Sequence, residues 1–311
     1  MGLFIRKRFR HCGRYGVRSP FVQVSYFPYQ TSRRITGRQR KYQTSTPKQR
    51  ILNNKRAVRY LEALVHSNFG EGDLHISLSY SEENKPEDEK TAKRLFGNFI
   101  GRINYRRKKL GLGNAKWVSV IETGKNGRIH HHVIMDGGLD RDTVEKIWGY
   151  GFANTRRLQP DSKTGLLKLV HYIAKTFKDD DKPKNKRKWD SSQNLVKPWD
   201  TVNDEPRMMS KKKFRLMQDL PEDSAYMRKL IELDNPCYEL ISVEKEYRED
   251  IGEWYFFCRM RLADPKPKPA PPPKEPGDKK PKKQKGTICK KKSPRHGSAR
   301  AKPPPNNTGP P

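Results

Sequence analysis

Trp117–Asp136 reads W-V-S-V-I-E-T-G-K-N-G-R-I-H-H-H-V-I-M-D and constrains the fold most strongly. Two apolar, β-branched runs, Trp117–Glu122 and Ile129–Met135, flank the turn Thr123-Gly124-Lys125-Asn126-Gly127-Arg128. β-Branched residues favour strands, and Gly and Asn suit tight connections, so the stretch predicts a β-hairpin. Side chains alternate across a strand, which puts His130 and His132 on one face and His131 and Val133 on the other. Val118, Val120 and Glu122 likewise share a face. Glu122 ends its strand close to where His130 begins the next, so a carboxylate and two imidazoles can converge. Glu122, His130 and His132 are therefore candidate ligands of an open-sided divalent metal site. Mixed N/O ligation suits Mn²⁺, Mg²⁺, Fe²⁺ or Zn²⁺ alike. A histidine triplet is also a tag-like tract, but a tag sits at a terminus and this one lies mid-chain in an apolar strand.

Composition divides the chain in three. The net charge of +32 is uneven: residues 1–59 carry 16 Lys/Arg and no acid, and 263–311 carry 14 basic and 3 acidic residues. Those segments hold +16 and +11, which leaves +5 for 60–262, an ordinary globular balance. The expected organisation is a basic N-terminal arm over 1–50, a folded domain over 51–262, and a disordered Pro/Lys-rich tail over 263–311, where 14 of 49 residues are proline. Basic arms neutralise phosphates, so a nucleic-acid partner is expected over a solubilising or membrane-surface role. The four cysteines, Cys12, Cys237, Cys258 and Cys289, form no C-x-x-C pair. That argues against a disulfide framework or zinc knuckle and fits a reducing cytoplasm. No signal peptide is evident, and no run approaches the ~20 apolar residues of a membrane span.

Along the chain, helical spacing over Ile51–His66 precedes a Gly-containing break and a strand, His75–Tyr80. Glu87–Leu110 is a long amphipathic helix whose last turn, Arg106-Arg107-Lys108-Lys109, complements the helix dipole and offers charge to phosphate. After the hairpin come a helix over Asp140–Trp148 and a strand over Gly149–Leu158 with Arg156-Arg157 at its end. Leu166–Phe177 is a helix with Leu166, Leu169, Val170 and Ile173 as its buried stripe; Tyr172 and Lys175, three apart, are neighbours on its surface. Tyr172 is either a half-buried core aromatic or, beside a metal-binding hairpin, a phosphoryl-accepting nucleophile. Tyr150, in a Gly-flanked turn, is the weaker alternative. Asp179–Pro198 and the basic run Pro206–Arg215 read as loops. Pro221–Leu233 reads as a helix, and Cys237–Glu249 with Gly252–Leu262 as a terminal strand pair.

Three stretches in order resemble the HUH family of single-strand DNA endonucleases, more narrowly the rolling-circle replication-associated proteins of phages and plasmids. They are I-S-L-S-Y at Ile76–Tyr80, the histidines after Gly127-Arg128 at His130-His131-His132, and Tyr172-Ile173-Ala174-Lys175. Trp189–Pro198 adds a further likeness. The resemblance spans about 50–262 and departs at His131, where the family usually has an apolar residue. It implies an α+β, ferredoxin-like domain whose central antiparallel sheet carries helices mainly on one face. It also implies Mn²⁺ or Mg²⁺ held by Glu122, His130 and His132, with Tyr172 as nucleophile and Lys175 as its assistant. The implied reaction nicks single-stranded origin DNA, leaving a 5′-phosphotyrosine and a free 3′-OH. The implied partners are a host helicase and DNA polymerase in a bacterial cytoplasm; no G-x-x-x-x-G-K-[ST] is present, so the chain carries no nucleotide-driven helicase of its own. A relaxase or single-strand transposase would use the same site. A non-catalytic nucleic-acid-binding protein would use neither the metal nor Tyr172.

Overall fold

The computed structural model describes residues 4–29, 46–124, 126–177, 187–203, 209–249 and 252–264. Its fold is α+β, with two antiparallel five-stranded sheets and six α-helices among these residues. The tail from residue 265 lies outside them.

The first sheet contains the hairpin. Its strands are β3 (Leu74–Ser79), β4 (Trp117–Thr123), β5 (Ile129–Met135), β6 (Ala153–Arg157) and β7 (Asp190–Ser191), in the order β6-β3-β5-β4-β7. The hairpin closes where Gly124 N donates to Arg128 O (2.8 Å), with Gly127 in the left-handed region at φ 71°. β3 alternates in burial. Leu74, Ile76 and Leu78 join Val133 and Met135 in a core with Phe96, Phe99 and Ile103 of α2 (Glu89–Lys109) and Trp148 of α3 (Arg141–Trp148). Opposite, Val118, Val120 and Ile134 pack on Leu61, Leu64 and Val65 of α1 (Pro47–His66) and on Val170 and Ile173 of α4 (Leu167–Ile173). Helices thus cover both faces, a correction to the expectation of one. β4 and β5 are apolar in both parities, so neither face can be left wholly to water.

Local chemistry sets the helix ends. Asp88 and Asp140 accept hydrogen bonds from the backbone N–H of Thr91 and Thr143, capping α2 and α3, and Thr46 does the same for α1 with Pro47 in its first turn. In the basic last turn of α2, Arg107 is structural: it is buried and makes paired bonds to Asp136 (3.0 and 2.9 Å), tying the helix to the end of β5.

The second sheet runs β8-β1-β2-β10-β9, from β1 (Phe4–Cys12), β2 (Phe21–Tyr29), β8 (Trp199–Asn203), β9 (Tyr238–Arg248) and β10 (Glu253–Leu262). It corrects the expected N-terminal arm: over 4–29 the chain is a strand pair whose β2 joins β10. The arginines of F-I-R-K-R-F-R-H-C mask a period of two. Ile5, Val22, Val24 and Tyr26 are buried with Met260, Cys258 and Phe256, and Lys7 is buried against Asp234 (2.9 Å). Residues 30–45 of that arm lie outside the described residues. The same core takes Phe214 and Met217 from α5 (Lys211–Asp219) and Met227, Leu230 and Ile231 from α6 (Ala225–Asp234). From Lys211 onward the basic run expected as a loop is therefore helical, capped by Ser210. Its three lysines precede an apolar i, i+3 pair that finds a sheet to cover. In the other expected loop, Asp179–Pro198, residues 179–186 lie outside the described residues, and Asp190–Ser191 pairs with β4.

α1 belongs to both sheets. Its apolar residues face the first, while Glu62, fully buried, takes two bonds from Arg259 of β10 (2.8 Å each), one from Gln23 of β2 (3.2 Å), and faces His171 of α4 (2.7 Å). Burial alone would raise the Glu62 carboxyl, but the bonds from His171 and Arg259 outweigh it and hold it below its ordinary value.

Candidate active site

The β4–β5 register sets Glu122 directly opposite His130 and Val120 opposite His132. With a two-residue side-chain period, Glu122, His130 and His132 share the face that α1 and α4 partly cover. His132 Nε2 lies 2.9 Å from Glu122 Oε2, and Lys175 Nζ lies 3.0 Å from Glu122 Oε1. Lys175 also sits over the Tyr172 ring (4.7 Å), and Tyr172 meets the His132 ring edge-on, with centroids 5.3 Å apart. Four of the five expected residues, Glu122, His132, Tyr172 and Lys175, thus form one contiguous group. The helix expected over Leu166–Phe177 ends at Ile173; Lys175 opens a 3₁₀ turn, Lys175–Phe177, and the two side chains meet across that junction.

Tyr172 is 49% exposed. Its helix buries Leu167, Val170 and Ile173, which leaves the intervening tyrosine on the open side. Glu122 is pushed up by burial, yet the bonds from Lys175 and His132 prevail and hold it below the usual carboxylate value. His132 is pulled down by burial, against the opposing pull of Glu122. At neutral pH the group therefore presents an anionic carboxylate and a neutral imidazole.

His130 stands apart from this contact group. It lines a shallow hollow with Ser79, Ser81, Glu82 and Arg128, and among the described residues no three His, Cys, Asp or Glu side chains are grouped to hold a metal ion. The donor chemistry nonetheless fits one. A carboxylate and two imidazoles share one face, and Nδ1 of His132 is buried without a hydrogen-bond partner. His131 points the other way, into the core, where its ring stacks on Phe96 (5.1 Å) and its Nε2 lies 2.8 Å from Tyr80 Oη. That opposite facing removes it from the ligand choices.

One neighbour escaped the sequence reading. His75, on β3, lies beside His132 with nearly parallel rings (5.9 Å) and meets Tyr172 edge-on (6.4 Å); its Nε2 is buried without a partner. Burial pulls it down to about 4. Only its alternation parity in the strand ahead of Tyr80 placed it on this face, and parity does not mark a function.

Residues 73–181 match the family model for the replication-associated protein ORF2/G2P, a segment that holds β3, the hairpin and the Tyr172 helix. No curated protein and no solved structure matches the chain. No helix among the described residues is long and apolar enough to cross a membrane.

Proposed function

We propose that this chain initiates rolling-circle replication by nicking single-stranded origin DNA, with Tyr172 as the nucleophile. The observation that carries the reading is the half-exposed Tyr172, set between Lys175 and His132 within a segment matching replication-associated proteins. A binding protein has no need of a half-exposed tyrosine ring packed against an imidazole and an ammonium that both meet one carboxylate.

The Tyr172 oxygen forms a new P–O bond as the P–O3′ bond breaks, and the phenolic proton ends on the released 3′ oxygen. One phosphodiester replaces another, so a later strand can reverse the step. Lys175, anchored on Glu122, keeps positive charge beside the tyrosine as its oxygen gains anionic character. Glu122, His130 and His132 would hold Mn²⁺ or Mg²⁺, which supplies Lewis-acid stabilisation of the phosphate oxygens when bound. His132 and Glu122 orient one another through their 2.9 Å contact. The free 3′-OH is a primer end for a DNA polymerase, and a separate helicase opens the duplex ahead of it. A relaxase or transposase would share this chemistry; the family match favours replication.

The test is incubation with labelled single-stranded origin DNA and Mn²⁺, then a denaturing gel and peptide mapping. The label is expected on the peptide containing Tyr172. Label on Tyr150 or Tyr80 would remove the assignment, and no adduct with an authentic origin would remove the reading.

A further inference from the structure

The site face of the first sheet does not end at the histidines. β3 separates β5 from the edge strand β6, and the register carries the site's parity across: His132 opposes Ser77, which opposes Asn154, and His75 opposes Arg156. One residue before β6, Ser79 N donates to Phe152 O (2.8 Å), so Phe152 continues the same row as Ser79, His130 and Glu122. Phe152 is 83% exposed, and Asn154 and Arg156 are exposed too, while Thr155 between them is buried on the α2 side.

A ring this exposed presents its faces to whatever lies over the site. Its mount is fixed. The turn before it is pressed onto β3, where a Cβ at Gly151 would fall 2.4 Å from Ser81 N and 2.6 Å from Ser79 O. Tyr150 O accepts from Ser81 N (2.9 Å), and Trp148 Nε1 donates to Ser79 O (2.9 Å). Phe152 cannot turn into the core behind it, because Trp148 and Ala153 fill that side.

We infer that Phe152, Asn154 and Arg156 form a single-stranded DNA platform beside the nicking site, with Phe152 stacking on an unpaired base. The row is continuous with the site, about two strand spacings (~10 Å) from His130 to Phe152. An exposed ring offers a π-face to any base, Arg156 two residues along offers positive charge to phosphate, and Asn154 between them can donate and accept at a base edge. The platform rests on the nicking reading for its substrate. It adds what that reading lacks, a grip on nucleotides flanking the scissile phosphate that is independent of the basic segments.

The test uses the full chain and a fluorescent oligothymidine of about 20 nucleotides, titrated by anisotropy at raised salt, where phosphate contacts are screened and stacking persists. Phe152→Ala is expected to weaken binding roughly tenfold, within the range stacking contributes per base. Phe152→Trp is expected to restore it, and its added indole fluorescence should be quenched on binding. Arg156→Ala should weaken binding at low salt and lower the salt slope. Wild-type affinity in Phe152→Ala, or no added quenching in Phe152→Trp, would overturn the platform. Adduct formation by the wild-type chain on origin DNA is measured in parallel. Weakened binding without any adduct spares the platform and removes the nickase; an adduct with unaffected Phe152→Ala binding does the reverse.

Discussion

The two sheets have the same strand count and opposite uses of their faces. The site sheet keeps part of one face open, and there it gathers His75, His130, His132 and Glu122, with Tyr172 leaning in from α4. The second sheet buries one face under α5 and α6 and sets the other against α1 through a charge cluster of Arg259, Glu244, Arg59 and Glu62. One sheet leaves polar groups open to a substrate. The other uses polar groups to hold α1 in place. Buried ion pairs are weak net stabilisers but strong positional constraints, so the second sheet fixes geometry that the first one uses.

That division gives its largest expected effects at the site. Tyr172→Phe keeps the ring on His132 and loses only the hydroxyl, so adduct formation should vanish while stability shifts by no more than about 0.5 kcal/mol. Retained adduct in this variant would show that the two sheets do not divide chemistry from scaffold this way. Glu122→Ala and His132→Ala should also abolish nicking in Mn²⁺ while leaving salt-sensitive DNA association nearly intact, as gel and filter-binding assays can separate.

Much of this site was legible beforehand, and for one reason. Strand parity is rigid, so Glu122, His130 and His132 could be assigned to one face from the sequence alone, and Tyr172 with Lys175 followed from helical spacing. What parity lacks is distance: it put His130 on the same face but did not show that, of the two histidines, His132 is the one that contacts Glu122. The second sheet was half legible. Its β9–β10 pair was readable from alternating apolar residues, whereas β1 hid under its arginines, with Lys7 spending its charge on buried Asp234. α5 hid under three lysines that stay exposed on its first turn. Charge counts predict solvent where a specific partner is absent, and partners such as Asp234 lie over 200 residues away.

On the scaffold side, Glu62→Ala removes two of the bonds that hold the buried Arg259 guanidinium and leaves it Glu244 as its carboxylate partner. It should cost about 3–5 kcal/mol, read as a lowered denaturation midpoint. Arg59→Ala, at the cluster's edge, should cost less. If Glu62→Ala proved neutral, the cluster would not be what holds α1 between the sheets.

Acid should loosen this junction. His66 at the end of α1 is partly buried and accepts a bond from Leu166 N (3.0 Å); burial pulls it down to about 4 from 6.5. A depressed histidine means the unfolded chain binds more protons, so its share of stability is full above pH 6.5 and is lost as pH falls towards 4. Burial pushes Glu244 up, but Arg259 and Arg59 outweigh it and bring it from 4.5 to about 2, so its contribution is lost below that, between 4.5 and 2. Denaturation midpoints should therefore fall in two stages on acidification. Glu244→Gln should flatten the lower stage only.

The smallest effect is expected at His131, the residue that departs from the motif the hairpin otherwise resembles. It lies between two expected ligands in sequence yet faces the α2 core, stacked on Phe96 and close to Tyr80 and Trp148. Leucine at this position loses the contact with Tyr80 Oη, but that hydroxyl still donates to Ala92 O (3.2 Å), so no buried donor is stranded. One neutral hydrogen bond is worth about 1 kcal/mol net, and apolar packing of leucine against Phe96 and Trp148 offsets part of it. His131→Leu should therefore shift stability by no more than about 1 kcal/mol and leave Mn²⁺-dependent nicking at the wild-type rate. A loss of nicking in His131→Leu, alongside an active His130→Ala, would move the ligand pair by one residue. It would also mean that the hairpin's register in solution is not the one in which Glu122 opposes His130.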